Sequence, residues 1–308
     1  MIEEQRGRPG PRSSYQSRMR LRPNLLDNLA IKTVEDVAFL PADGVKLKNR
    51  EGQLVDYKDT ARSRKMRREI AQQNEAIMSL EIALVSPSWH QDDRGLLRST
   101  KSVLNPEKLR LYRVFKGGWN LGGRLYGGWW QNMPSSDRAH IRIDGDDVVE
   151  HDFSHIHPTL MSAIADVKFD GKDPYVIDGF ERKLVKRSFN ILLNASTLLG
   201  ARRAITQELQ TIGTEAPGSQ AKELINAIQR HHPRFSHFWG TGLGLRLQSI
   251  DSDLCVRVLA RMRAAGVVAL PVHDSFIVPD RAASFLLQAM ETELTIIVRE
   301  IRCNTMKI

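Results

Sequence analysis

Cysteine is nearly missing from this chain. Its 308 residues include two, Cys255 and Cys303, at no metal-ligand spacing. That excludes a cysteine-built zinc site, and so sparse a use fits a reducing compartment, so a cytoplasmic protein is expected. No apolar run is long enough to span a membrane. No apolar stretch follows the N-terminal charges as a signal peptide would require. A membrane partner is therefore not expected. Internal repeats and coiled-coil heptads are missing too, which removes repeat arrays and long zippers. Hydrophobic residues make up 41% of the chain and charged residues 26%. The chain can thus bury a sizeable core in one large domain or two modest ones.

Positive charge is what the chain has in excess, with a formal net charge of +9. Arg outnumbers Lys, and the basic residues cluster at 6–22, 62–68, 182–187 and 202–203. One reading is a solvated basic surface. The sharper reading, and the favoured one, is a polyanionic partner. Charge alone does not separate DNA, RNA and nucleotides.

Residues 1–24 are rich in Arg, Pro, Gly and Ser and read as a disordered basic arm. Residues 25–116 are expected to be mainly helical. One helix is predicted over 59–85, with Arg64, Arg67 and Arg68 on one side and Ile70, Ile77, Leu80 and Leu84 on another. Ser86-Pro87 would end it, and a second short helix is predicted over 106–115. The Gly/Trp-rich segment 116–134 reads as strands and turns. Its Trp119, Trp129 and Trp130 suit either base stacking or the core. Ile141 to Ile143 and Val148 to His151 flank Asp144-Gly145 as a hairpin. Helices are predicted over 157–165, 179–193, 201–212, 220–231, 247–265 and 281–301, with Gly266 stopping the fifth.

Two carboxylates carry the chemical signal. In Pro271-Val272-His273-Asp274-Ser275-Phe276 an apolar run enters a His-Asp pair and a second run leaves it. This predicts two short strands with Asp274 at the tip of a tight turn. Asp152, far upstream, falls at the end of a predicted strand, although an Asp there also suits a helix N-cap. Between them, Arg182 and Lys186 stand at i, i+4 on one helix face. Two cations so placed suit a triphosphate: Arg grips oxygens in a fork and Lys acts as a point charge or proton donor. Two carboxylates bracketing a cationic helix describe phosphoryl transfer with two metal ions. His151, His155 and His157 offer a rival, a His/Asp metal-dependent hydrolase, because His-x-His is also ligand spacing.

Three segments, taken in order, resemble motifs A, B and C of family A polymerases, and most closely the bacteriophage-type single-subunit RNA polymerases. Motif C is His273-Asp274-Ser275-Phe276. Motif B is Arg182, Lys186-Arg187-Ser188 and Ser196. Motif A is Asp152-Phe153-Ser154-His155-Ile156. Upstream, Gly123-Arg124-Leu125 and Gln131-Asn132-Met133-Pro134 are similar to elements that precede motif A in the DNA polymerases. The likeness spans roughly residues 117–308, read as a palm and fingers core. The region 25–116 is left to supply any thumb-like part.

The resemblance implies an α+β fold: a right-hand polymerase palm, a small antiparallel sheet backed by helices, with a reduced helical fingers region. It implies a template-directed nucleotidyltransferase, a minimal polymerase or primase-like enzyme, whose partners are nucleic acid and nucleoside triphosphates. Protein partners are not implied. Asp152, Asp274 and the Phe153 carbonyl would hold Mg²⁺, or Mn²⁺ in its place. Lys186 would act on the leaving pyrophosphate and Arg182 on phosphate oxygens. His157, Asn190 and Asn194 would line the sugar and base pocket. His273, Ser275, Arg124 and Gln131 would contact primer or template. Two departures stand out. His157 replaces the Glu usual in the DNA enzymes, and Asn194-Ala195 replaces the Tyr-Gly pair that ends motif B. The resemblance therefore implies no sugar preference, and the second departure admits a catalytically weak nucleic-acid-binding module as an alternative.

Overall fold

The computed structural model describes residues 2–5, 18–21 and 44–303, and the chain divides into two units, residues 1–42 and 43–308. In the first unit, β1 (Ile2–Gln5) pairs antiparallel with β2 (Arg18–Leu21). These eight residues are paired strand where a disordered arm was expected. The rest of that arm lies outside the described residues.

The second unit is a mixed α+β fold in which helices pack against modest sheets. Its central sheet has five antiparallel strands in the order β13-β14-β12-β11-β5. These are Leu270–Val272, Ser275–Pro279, Asp146–Asp152, Ile141–Ile143 and Ile82–Leu84 respectively. The predicted turn between β11 and β12 forms at Asp144-Gly145, and both residues take positive φ, 52° and 83°. That is the geometry a two-residue hairpin requires. A second sheet has the order β10-β9-β3-β4: Gly122–Tyr126, Tyr112–Lys116, Val45–Lys48 and Leu54–Val55. A small meander, β6 (His90–Gln91), β7 (Leu97–Arg98) and β8 (Val103–Leu104), completes the strands.

Eight α-helices follow the same chain order among the described residues. They are α1 (Ala61–Met78), α2 (Ser135–Arg138), α3 (Ile156–Ile164), α4 (Arg182–Asn194), α5 (Leu198–Thr211), α6 (Pro217–His231), α7 (Gly244–Ala264) and α8 (Ala283–Arg302). Helix α1 opens with a capping box, in which Thr60 and Ser63 satisfy each other's backbone N–H. Helix α8 packs on β12 and β14, and α7 packs on α8 and β10. No helix among the described residues is long and apolar enough to cross a membrane.

Two predicted helices give way to strands. Helix α1 stops at Met78, and residues 82–84 instead pair with β11, Leu84 lying opposite Ile141. Residues 112–115, expected as the end of a helix, join Lys116 in β9 between β10 and β3. Here Arg113 and Phe115 face inward while Tyr112, Val114 and Lys116 face out, a period of two that tertiary pairing favours over local helix preference. The stretch 44–116, expected to be mainly helical, thus contains one helix and seven short strands. Its β3 hydrogen-bonds directly to β9 and shares a sheet with β10, so the chain crosses residue 116 without leaving the sheet.

The main core lies under the central sheet and its helices, and a smaller cluster of Val45, Met66 and Phe115 lies under the second sheet. Trp129 and Trp130 are fully buried in the main core, and the Trp130 indole N–H donates to the Pro271 carbonyl at 3.0 Å. Trp119 is half-buried and packs edge-on against Tyr57 and Phe115. All three serve as core aromatics. Arg113 is nearly as buried as Trp129 and Trp130. It donates to the Gly123 carbonyl at 2.8 Å and pairs with Asp253 at 2.7 Å, pinning α7 to the second sheet. The Asp253 side chain keeps 30% exposure, so removing one partner should cost no more than about 3 kcal/mol, the low end for a buried pair.

Candidate active site

Asp152 is the last residue of β12, and its register partner on β14 is Ser275. Asp274 immediately precedes Ser275 in the two-residue turn between β13 and β14. The Phe153 N–H donates to the Asp274 carbonyl at 3.3 Å. Pairing of β12 with β14 thus places two aspartates, 122 positions apart in sequence, at one sheet end. Asp152 is exposed and Asp274 half-buried. Neither carboxylate has a hydrogen-bond or ion-pair partner among the described residues. Both turns hold strained backbone: His273 has φ 59° and His155 has φ 55°, the left-handed region that costs a side-chain-bearing residue.

The aspartates line a cleft of about 400 Å³. Its opposite wall is α4, where Arg182, Lys186, Asn190 and Asn194 recur every fourth residue and all line the cleft. The buried ring of Tyr175 supports the two cations, with the Arg182 guanidinium 5.7 Å and the Lys186 ammonium 5.8 Å from its centroid. Burial, and then the Asp173 charge, push the Tyr175 phenol up to about 12. Arg182 Nε also donates to Asp173 at 2.6 Å. Burial pushes the Asp173 carboxyl up. The Tyr175 backbone N–H, Arg182 and His155 outweigh it, so the group sits below its ordinary value. Lys186 has no carboxylate partner among the described residues. Arg187, on the next turn position, points elsewhere and pairs with Glu208 of α5.

A third aspartate underlies the floor. Asp251 of α7 is almost fully buried and takes two bonds through Oδ2, from Arg124 Nη2 at 2.8 Å and His157 Nε2 at 3.0 Å. Arg124 and His157 reach the cleft from this anchor, and Gln248, one turn earlier on α7, lines the cleft beside them. Gly244 opens α7 against the helix wall: a Cβ there would lie 2.2 Å from Asn194 Oδ1, so only glycine leaves Asn194 its place.

Of the residues singled out from sequence, Asp152, Phe153, Asp274, Arg182, Lys186, Asn190, Asn194, His157 and Arg124 all line this one cleft. Three do not. Ser275 is buried, with its Oγ 2.5 Å from Glu150 and 3.0 Å from the Val272 carbonyl. Gln131 donates to the Leu125 and Pro271 carbonyls, at 3.2 and 3.0 Å, fastening the 3-10 turn Trp129–Asn132 to the sheets. His273 stands beside the cleft against the Tyr126 ring. Burial, and then the Arg124 charge, hold its imidazole below the ordinary histidine value. Sequence reasoning missed Asp173, Tyr175, Gln248 and the anchoring role of Asp251. The first two sit in a loop, where no periodicity marks them.

Hard oxygen donors with open coordination positions suit Mg²⁺. Two unpartnered carboxylates and the Phe153 carbonyl meet that description. Among the described residues no group of three or more His, Cys, Asp or Glu side chains could hold an ion alone, so substrate phosphate would have to complete the shell. His155 is drawn to Asp173 at 3.6 Å and His157 to Asp251 at 3.0 Å. No protein-family model matches the chain, and a search of curated proteins finds no match.

Proposed function

We propose that the chain is a template-directed nucleotidyltransferase, a small right-hand polymerase that joins a nucleoside triphosphate to a 3′-hydroxyl. One observation carries the reading. Asp152 and Asp274 meet at adjoining strand ends without protein partners, across a cleft from Arg182 and Lys186. Two unpartnered carboxylates facing an unpartnered Lys186, with Arg182 beside it held through Nε by Asp173, leave a space that fits a metal–triphosphate, whose charges complement both walls. The resemblance of the three segments to motifs A, B and C points the same way.

In this reading Asp152, Asp274 and the Phe153 carbonyl hold Mg²⁺ or Mn²⁺. Bound there, the ions supply charge neutralisation and a more acidic attacking hydroxyl. Arg182 holds phosphate oxygens through its remaining guanidinium donors while Nε stays with Asp173. Lys186 gives a proton from Nζ to the leaving pyrophosphate or neutralises it. Asn190, Asn194 and His157 bound the sugar and base, and Asp251 keeps His157 and Arg124 in register. Phosphoryl transfer asks for positioning and charge rather than covalent chemistry from the protein, and a rigid sheet end facing a helix suits that demand.

Extension of a labelled primer–template with Mg²⁺ or Mn²⁺, dNTPs and NTPs supplied separately, tests the reading. Incorporation by the wild type that disappears in Asp274→Asn is expected. No incorporation under any condition, with nucleic-acid binding retained, would leave the binding-module alternative, which the Asn194-Ala195 departure favours.

A further inference from the structure

The sheet β10-β9-β3-β4 has an inner face in the core and an outer face with a composition of its own. Alternation along the strands places Lys46 and Lys48 of β3, Tyr112, Val114 and Lys116 of β9, and Arg124 and Tyr126 of β10 on that outer side. The register reinforces this, with Lys46 opposite Val114 and Lys48 opposite Lys116. A groove of about 480 Å³ runs over the face, and no carboxylate lines it. Lys46, Lys48 and Lys116 have no ion-pair partner among the described residues. The Lys46 ammonium instead sits 4.0 Å above the Tyr112 ring. Tyr112 and Tyr126 lie side by side, their centroids 6.3 Å apart and their planes tilted by 34°.

The groove leads to the cleft. Gln248 lines both spaces. Tyr126 stands edge-on to His273, 5.8 Å between ring centroids, and His273 is the residue before Asp274. The order of features is therefore lysines, paired tyrosine rings, then the aspartate turn.

We propose that this face is a track for single-stranded nucleic acid, which carries an unpaired strand to or from the cleft. Unopposed lysines supply phosphate contacts. Tyrosine rings supply stacking surfaces, which unpaired bases can use and paired bases cannot. An acidic peptide would satisfy the lysines and leave the rings unused. That the strand belongs to a template rests on the nucleotidyltransferase reading. The binding itself does not.

The test is binding of a labelled oligothymidylate to the full chain, without divalent metal or triphosphate, over a range of salt. Two variants accompany the wild type: Lys46→Gln/Lys48→Gln/Lys116→Gln and Tyr112→Leu/Tyr126→Leu. The lysine variant should bind at least tenfold more weakly, and its salt slope should shrink by about 2, at roughly 0.7 per phosphate contact for single strands. The tyrosine variant should lose about tenfold with the slope unchanged. Wild-type thermal unfolding in each variant excludes misfolding as the cause. Unchanged affinity and slope in both groove variants would overturn the proposal, as would a wild type that prefers duplex to single strand. A protein that binds through these residues yet extends no primer keeps the track and loses the nucleotidyltransferase reading. Normal extension with unaltered groove binding does the reverse.

Discussion

The two walls of the cleft treat charge in opposite ways. On the sheet wall, Asp152 and Asp274 are held by backbone pairing, and their carboxylates have no hydrogen-bond or ion-pair partner among the described residues. On the helix wall, Arg182 is already engaged, bonded to Asp173 and seated over Tyr175. Beneath both, Asp251 is a carboxylate of the first wall's chemistry handled in the second wall's manner: buried, and bonded to Arg124 and His157. The same side chain thus has different work in two places. An exposed carboxylate without a partner adds little to folding and is available to a ligand. A buried one bonded to an arginine and a histidine holds structure.

Substitution should separate the two kinds. Asp274→Asn or Asp152→Asn should lower nucleotide incorporation by about a thousandfold or more, while thermal unfolding stays at wild type because neither carboxylate has a hydrogen-bond or ion-pair partner to lose among the described residues. Single-turnover incorporation beside a melting curve checks this. Large destabilisation in either variant would mean that these carboxylates hold structure after all. Asp251→Ala should do the opposite. It leaves Arg124 and His157 short of their shared acceptor, so stability should fall by about 3 kcal/mol, the low end for a broken buried pair, since Arg124 keeps some solvent contact. Denaturant titration measures it, and a loss under 1 kcal/mol would show that Asp251 anchors nothing.

Legibility in the sequence divides along the same line. The Asp274 turn and the Asp144-Gly145 hairpin are local patterns of a few residues, and the Arg182–Lys186 pair is one helical step, so all could be read directly. Asp251 bonds to Arg124 across 127 positions, and nothing near either residue announces the other. Asp173 and Tyr175 precede α4 in an irregular loop. Ser275 and Gln131 belong to segments read correctly, but their side chains turn inward, which a motif cannot disclose. Tyr112 to Phe115 reads locally as helix because its partner strand β3 lies 68 residues upstream in a stretch of weak pattern.

A smaller effect tests whether Arg182 is a shared ligand. In Asp173→Asn the guanidinium loses its charged partner, so triphosphate should meet less competition. The KM for nucleotide is expected to fall a few-fold with kcat little changed, and stability to drop by under about 1 kcal/mol, because the pair is partly exposed. A higher KM would mean that Asp173 aims Arg182 rather than restrains it.

The smallest predicted effect concerns acid. His232 at the end of α6 bonds through Nε2 to the Pro174 carbonyl at 2.8 Å and meets the Phe189 ring of α4, so it ties the Asp173–Tyr175 loop to the helix wall. Burial holds its pKa below the ordinary 6.5, with His231 adding to the effect and the Pro174 carbonyl opposing it. The unfolded chain then binds a proton at a higher pH than the folded one. Between 6.5 and the depressed folded value, stability must therefore rise with pH and fall as acid is added. Above 6.5 the group is neutral in both states and contributes no slope. His232→Phe should remove that part of the acid slope while keeping the ring packing. Hydrogen exchange sharpens the contrast between the walls: on acidification below 6.5, amides of α4 and α6 should lose protection before those of β12 and β14. Equal loss on both sides would mean that His232 reports global unfolding and that the two walls stand or fall together.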